Sequence, residues 1–239
     1  MHASGLDNLL GGGALQNSLG TGSIITLLGV FFGNILSKIF PADNGPVGDS
    51  GLPDRLESKG KKVLGFYAEW WDGDSSSYND MVKHHDVLDS IIPYWITLYP
   101  DGSIKSRGGQ DRAKVVNFAH PKGLNVILMV NNAHGNGTDE GIQTVLADSS
   151  LRKKAIDNIE VFIKDNKLDG VNIDFEMVPS AARNNLTVFM QELSLRLKPQ
   201  GYSISIDVFP KQNENDDISI AYDYAALAGV VDKLILMTY

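Results

Sequence analysis

Residues 168–176 read Leu168-Asp169-Gly170-Val171-Asn172-Ile173-Asp174-Phe175-Glu176, which is the pattern of a buried strand with acidic side chains near its end. Side chains along a strand alternate between its two faces. One face therefore carries Asn172, Asp174 and Glu176 together with Gly170, and Val171, Ile173 and Phe175 fill the other. Because burying unpaired charges is costly, this cluster on an apolar strand indicates a functional site.

The chain from residue 63 onward alternates between apolar runs and amphipathic stretches. The runs that predict strands lie near residues 63–67, 91–98, 125–130, 168–176, 202–208 and 233–239. The stretches between them space their apolar side chains as helices do, for example Leu186, Met190, Leu193 and Leu197. Repeated strand–helix units predict a parallel sheet covered by helices.

Two architectures fit this alternation, an open doubly wound sheet and a closed (β/α)8 TIM barrel. A nucleotide-binding open sheet would carry G-x-G-x-x-G or a Walker sequence after a strand, and neither follows any predicted strand. Polar residues instead end several strands, among them Glu69, Asn131, Asn132, Glu176 and Asp207. Barrel enzymes build their sites at that rim and take about 250 residues. We therefore predict a (β/α)8 TIM barrel that is truncated after the sixth strand.

Composition narrows the classes of partner. The 239 residues are 43% hydrophobic and 21% charged, as in ordinary globular proteins. A formal net charge of -8 argues against nucleic acid and anionic membrane surfaces as main partners. The chain contains no cysteine, which excludes disulfides, zinc–thiolate sites and thiol catalysis.

The first 62 residues differ in composition from the rest. Residues 1–40 comprise a Gly-rich segment and an apolar run at residues 24–40. This run is slightly shorter than the roughly 20 residues that span a bilayer. It is interpreted as a helix on a partner or membrane surface, a local appendage or an anchor. Residues 41–62 have the Pro- and Gly-rich composition of a linker, which leaves residues 63–239 for the barrel.

The two carboxylates of the acidic strand lie at different depths. Glu176 is at the strand end, and Asp174 is roughly 7 Å further back. Unequal desolvation and mutual repulsion favour one protonated and one ionised group. Such a pair can protonate a leaving group and stabilise nearby positive charge, and glycosidic bond cleavage needs both. The alternatives are a structural acid pair and, more weakly, a divalent metal site, since His84, His85, His120 and His134 fall outside the strand ends.

Residues 169–176 resemble the D-x-x-D-x-D-x-E signature of glycoside hydrolase family 18, the chitinase-like barrels. Met237-Thr238-Tyr239 is similar to the family's Met-x-Tyr, and residues 206–211 resemble its apolar strand that ends near Pro. The first strand contributes Gly65-Phe66-Tyr67. The resemblance covers residues 63–239 and implies an incomplete catalytic domain without a metal or cofactor.

The resemblance also implies a role for each matching residue. Glu176 would donate a proton to the glycosidic oxygen. Asp174 would orient the 2-acetamido group of the substrate, whose oxygen attacks the anomeric carbon in this substrate-assisted route. Tyr239 would hydrogen-bond the same group. The expected substrate-binding residues are Asn172, Met237, Tyr67 and Asn131, with Tyr67 facing inward if Gly65 does.

Departures from the family pattern point to one branch. Asn172 stands where most chitinases have an Asp, and residues 129–132 replace the usual Ser-x-Gly-Gly. With Phe175 in place of Trp, these features look like the bacterial spore-cortex and cell-wall N-acetylglucosaminidases. The family's last strand, which supplies a tryptophan beneath the cleaved sugar, has no counterpart in residues 1–239, in line with the predicted truncation.

The sequence thus predicts a hydrolase of β-1,4 bonds in N-acetylated glycans, with peptidoglycan preferred over chitin. We expect an extracellular, envelope or spore-associated protein whose partner is a polysaccharide and not nucleic acid, with a membrane or envelope contact through residues 24–40 also considered. Trp70 and Trp71 either stack on sugar rings or pack the loop onto the rim. The alternative function is a non-catalytic glycan-binding or structural spore protein.

Overall fold

The computed structural model describes residues 61–106, 111–133, 141–211, 213 and 218–238, and the backbone of residues 23–26. The strands are β1 (Ser23–Thr26), β2 (Leu64–Tyr67), β3 (Ser90–Leu98), β4 (Ile104–Ser106), β5 (Asn125–Asn131), β6 (Gly170–Asp174), β7 (Ser203–Val208) and β8 (Lys233–Leu236). The α-helices are α1 (Ser76–His84), α2 (Arg112–Ala119), α3 (Ile142–Ala147), α4 (Ser149–Asp165), α5 (Arg183–Leu197) and α6 (Tyr224–Ala228).

The sheet follows the order β1-β8-β7-β6-β5-β3-β2, and every neighbouring pair on this path is parallel. Strands β2, β3, β5, β6, β7 and β8 are the six predicted ones, and they are adjacent in chain order. With helices between them they form a six-stranded partial (β/α) barrel, which confirms the predicted fold class. A hairpin not predicted from the sequence adds β4 antiparallel to β3, after the turn at Asp101 and Gly102.

Strand β1 lies beside β8, so residues 24–26 of the apolar run belong to the sheet. The rest of that run and residues 41–60 of the predicted linker lie outside the described residues. In the part of the chain that the structure describes, no helix has the length and apolarity needed to cross a membrane.

Each central strand is buried on both faces. The outer face packs against the helices, where Phe175 of the β6 end contacts Phe189 of α5 with ring centroids 5.5 Å apart. The inner face carries a small apolar cluster in which Leu64, Ile92, Ile127, Met129 and Ile235 pack together. The two clusters explain why the strands read as nearly continuous apolar runs.

The faces of β2 differ from the expectation. Phe66 packs with the inner cluster, and Gly65 faces Leu88 on the helical side. Tyr67 therefore shares the outer face with Gly65 and packs against Trp95. The condition for an inward Tyr67, that Gly65 faces inward, was therefore wrong. A four-residue strand that is buried on both faces shows no apolar–polar alternation from which its inner face could be predicted.

Two local features hold β6 in place. An added Cβ at Gly170 would lie 2.2 Å from the Ser203 carbonyl oxygen, so only glycine allows β7 to approach this closely. At the same strand end, Asp169 Oδ2 accepts hydrogen bonds from the Val126 N–H (2.7 Å) and His120 Nε2 (3.0 Å). The first Asp of the signature is therefore structural and lies at the strand end opposite the acidic pair.

A carboxylate side chain caps the start of helix α4. Asp148 is the N-cap, and its Oδ1 accepts from the N–H groups of Ser150 (2.7 Å) and Leu151 (3.0 Å). Ser149 is the first residue of the helix. A carboxylate here satisfies two free N–H groups and also interacts favourably with the helix dipole.

Candidate active site

A cavity opens at the carboxyl ends of the strands. Its empty volume, including the open mouth, is ≈ 810 Å³. Its lining comes from the ends of β2, β3, β5, β6 and β7 and the loops that follow them: Phe66, Tyr67, Ala68, Trp70, Ile92, Tyr94, Met129, Asn131, Asn132, Ala133, Asp174, Glu176 and Asp207. The signature carboxylates Asp174 and Glu176 thus reach one common space, as the strand periodicity predicted.

Glu176 lies two residues beyond the end of β6, and the side chain of Asn132 holds its backbone. Asn132 Oδ1 accepts from the Glu176 N–H (2.9 Å), and Nδ2 donates to the Glu176 carbonyl (2.9 Å). The next residue, Met177, has a left-handed backbone with φ 53. Strain of this kind in a residue other than glycine clusters at active sites, where surrounding contacts maintain it.

Beneath Asp174 lies a chain of polar side chains that crosses from β6 to β7. Ser205 Oγ donates to Asn172 Oδ1 (2.7 Å), and Asn172 Nδ2 donates to Asp207 Oδ2 (2.7 Å). Asn172 is fully buried, and Asp207 is 1% exposed. Because Ile173 is paired with Ile206, the next residues along the two strands, Asp174 and Asp207, lie side by side on the inner face.

Burial dominates the electrostatics of these acids. It raises the pKa of Asp174 to about 7, with the charge of Glu176 as the second cause. Burial also raises the pKa of Glu176. The pKa of Asp207 lies well above its usual range because of burial and the neighbouring Asp174. The cluster therefore retains protons at pH values where exposed carboxyls have lost theirs.

The other predicted residues are distributed around this centre. Asn131 borders the cavity, but its amide accepts from Thr97 Oγ1 and the Ala133 N–H and donates to the Ile96 carbonyl. Tyr67 also borders the cavity, and its hydroxyl donates to Glu69 Oε1 (3.0 Å).

Two further predicted residues, Asn172 and Met237, are not part of the cavity lining. Asn172 lies below the floor in the polar chain. Met237 is 6% exposed just after β8, and its N–H donates to the Val208 carbonyl. Tyr239 lies outside the described residues, so its role in the site stays a prediction.

Two residues of this site were not among the predicted ones, although both were noted as polar strand ends. Asn132 clamps Glu176, and Asp207 adjoins Asp174. The signal for Asp207 was present, since Ser205 and Asp207 alternate with apolar residues just as Asn172 and Asp174 do. Among the described residues, no group of three or more His, Cys, Asp or Glu side chains is arranged to hold a metal ion.

The two loop tryptophans differ in position. Trp70 is 51% exposed, borders the cavity and lies with its ring centroid 6.2 Å from that of Tyr94. Trp71 is 68% exposed and is not part of the lining. An exposed indole at a cavity mouth provides an apolar face for a flat ligand such as a sugar ring.

Comparison with known proteins decides the family. Residues 62–239 match the sequence profile of glycosyl hydrolases family 18. This chain belongs to glycoside hydrolase family 18. The acidic strand, the parallel partial barrel and the cavity at its rim are the parts of the family pattern that the described residues contain.

The similar family members include bacterial glycosylases and a chitinase. The uncharacterized glycosylase YvbX of Bacillus subtilis (strain 168) is 28% identical over 190 residues, covering 77% of this chain and 54% of that protein. The cortical fragment-lytic enzyme of Bacillus cereus is 29% identical over 142 residues, covering 58% of this chain and 32% of that protein. The crystal structure of a chitinase from Chromobacterium violaceum superposes with a TM-score of 0.67 at 25% identity, covering 74% of this chain and 56% of that one. The chain thus spans about half or less of the length of the curated relatives named here.

Proposed function

We propose that this protein is a glycosidase that cleaves β-1,4 bonds of N-acetylated glycans by a retaining, substrate-assisted mechanism. The observation that supports it most directly is the convergence of Asp174 and Glu176 on one cavity, each with a raised pKa. A structural acid pair would be neutralised by a cation. Among the described residues, Asp207 instead accepts from the neutral amide of Asn172, and the strand register places Asp174 beside Asp207.

Glu176 is the proton donor in this proposal. Its raised pKa keeps the carboxyl protonated closer to neutral pH, as a general acid requires. Its position beyond the strand end, with the backbone held by Asn132, directs the side chain into the open part of the cavity. The proton passes from the Glu176 carboxyl to the glycosidic oxygen as the bond to the anomeric carbon breaks.

Asp174 steers the substrate's own nucleophile. Its carboxylate accepts the N–H of the 2-acetamido group and turns the acetamido oxygen towards the anomeric carbon, where the new C–O bond forms. The negative charge of Asp174 balances the positive charge that develops on the closed ring. Water then attacks the anomeric carbon, opens this ring and gives a proton to the Glu176 carboxylate. Because the anomeric carbon is inverted in each of the two steps, its original configuration is retained.

This mechanism selects substrates that carry an N-acetyl group on the cleaved sugar. We prefer peptidoglycan to chitin because the sequence departs from the chitinase pattern at Asn172 and Phe175, and because one relative is a cortical fragment-lytic enzyme. The same relative supports a location at the spore or cell wall. Trp70 at the cavity mouth would contact a sugar ring next to the cleaved bond.

The test is the release of reducing ends from peptidoglycan fragments and from chitin oligosaccharides. Glu176→Gln should lower kcat by about 10²- to 10⁴-fold, because an amide cannot donate the proton in the required way. The matched control is Glu192→Gln on helix α5, where the carboxylate binds Arg152 outside the cavity lining. Its turnover should stay unchanged.

Two results would contradict the proposal. Turnover that persists in Glu176→Gln would remove the acid assignment. Tight glycan binding by the unaltered chain without any release of reducing ends would favour the glycan-binding alternative. Thermal unfolding of each variant checks that the substitutions leave the fold intact.

A further inference from the structure

The side-by-side carboxyls of Asp174 and Asp207 have an unusual hydrogen-bonding state. The Oδ1 atoms of both are buried, and neither receives a hydrogen bond from any donor among the described residues. The strand register nevertheless places the two side chains next to each other, and each contributes to the pKa shift of the other. Two carboxylate oxygens repel one another in such a position unless a proton lies between them.

The polar chain beneath them fixes which oxygen can hold that proton. Ser205 Oγ donates to Asn172 Oδ1, so the amide must present its N–H₂ to the other side. Asn172 Nδ2 donates to Asp207 Oδ2, which is therefore an acceptor. The remaining oxygen, Asp207 Oδ1, is the one left without a donor and the one free to carry a proton towards Asp174.

We propose that Asp207 is a positioning residue that shares one proton with Asp174 across the two strands and thereby holds the Asp174 carboxylate towards the acetamido group. This inference rests on the proposed function. Asn172, the neighbour of Asp174 on its own strand, is an amide and cannot share a proton as an acid would. The acid that can do so comes from the adjacent strand.

Within the described part of the chain, the groups that face the pair are acidic, neutral or apolar. Asp207 lies near Asp174 and Glu176 of the β6 end, and its partner on β8 is the apolar Ile235. The partner of Asp174 on β5 is the neutral Asn131. Tyr222 lies near the acids, and its hydroxyl donates to the Phe175 carbonyl. The nearest cation along β8, Lys233, is paired with Ser205, one inward step below Asp207, and its Nζ donates to Ser203 Oγ.

The pair is active with one proton. Asp207 then donates to an ionised Asp174, which accepts the acetamido N–H. When the pair holds two protons, Asp174 has no charge. When it holds none, the two carboxylates repel each other and the Asp174 carboxylate moves away from its position beside the acetamido group. No proton is consumed by this arrangement, because Asp207 keeps its proton throughout the steps in which Glu176 gives and regains one.

The experiment compares Asp207→Ala with Asp207→Asn in the full chain by the pH profile of kcat/KM. The acid limb follows protonation of Asp174, whose pKa is about 7. Alanine removes the donor to the Asp174 anion, so that pKa rises and the acid limb moves by about 1 to 2 pH units to higher pH. Asparagine can turn an N–H towards Asp174, so its limb should stay near that of the unaltered protein.

The control is Asp232→Asn, which changes a carboxyl that lies before β8 and accepts from the Ile204 N–H, away from the cavity lining. Its pH profile should not move. If Asp207→Ala lowers kcat/KM equally at every pH without moving the limb, Asp207 is only structural. Asp207→Asn is nearly isosteric, so its pH profile still tests the proposal if the alanine variant fails to fold.

A second measurement does not depend on activity. Side-chain carboxyl ¹³C NMR of aspartate-labelled protein should show two coupled titrations that disappear or simplify on Asp207→Asn. An Asp207 signal that titrates near the usual value of about 3.9 would overturn the shared proton. If the chain cleaves no glycan, the proposed function fails while the NMR titration still decides whether the pair exists.

Discussion

Burial of Asp174 has a stability cost that depends on pH, and Asp174→Asn should reveal it. The pKa of Asp174 is raised from 3.8 to about 7 by burial and by the charge of Glu176. One pKa unit corresponds to about 1.4 kcal/mol, so the shift corresponds to at most about 4 kcal/mol. This is a large share of the roughly 5–15 kcal/mol that stabilises a typical domain.

The direction of the change in stability with pH depends on whether the folded or the unfolded chain binds the proton more tightly. Below about pH 4 the carboxyl is neutral in both states, so the unaltered protein and the Asp174→Asn variant should be about equally stable. Between about pH 4 and 7 the unfolded chain ionises first, and the stability of the unaltered protein falls. An amide does not ionise, so Asp174→Asn should be more stable by up to about 4 kcal/mol at pH 8.

The assay is urea unfolding followed by tryptophan fluorescence at pH 4, 6 and 8. Asp165→Asn, at the exposed end of helix α4, is the control and should change the free energy of unfolding by no more than about 0.5 kcal/mol at each pH. A stability difference for Asp174→Asn that is the same at pH 4 and 8 would refute the argument. The same variant should lose glycan cleavage, since stability and activity oppose each other at this position.

Two further predictions concern the surroundings of the pair. Asn132→Ala removes both hydrogen bonds to the Glu176 backbone and should lower kcat by about 10- to 100-fold, with a loss of about 1–3 kcal/mol in the free energy of unfolding; an unchanged kcat would show that Glu176 needs no clamp. Trp70→Ala should raise KM for glycan fragments about 2- to 10-fold with little change in kcat, whereas Trp71→Ala, outside the lining, should leave KM unchanged. Equal effects of the two tryptophan variants would exclude specific stacking by Trp70.

Several parts of the fold were accessible from local patterns. The apolar runs gave the positions of the six barrel strands to within a few residues, because strands buried on both faces need apolar side chains throughout. The strand β4 of the hairpin and the short helix α3 were not predicted, since neither sequence shows a strong periodicity of hydrophobic residues. The pairing of residues 23–26 with β8 joins segments about two hundred residues apart, and no local pattern encodes such a contact.

In the candidate site, too, some spatial relations follow from the sequence and others depend on the tertiary structure. The alternation in residues 170–176 by itself determined that Asn172, Asp174 and Glu176 share a face, because that relation depends only on the geometry of one strand. Only the tertiary structure decided that Asp207 lies beside Asp174, that Asn132 holds Glu176 and that Tyr67 packs against Trp95. These relations depend on the register between strands and on which face meets the helices, and both are set by packing of the whole sheet.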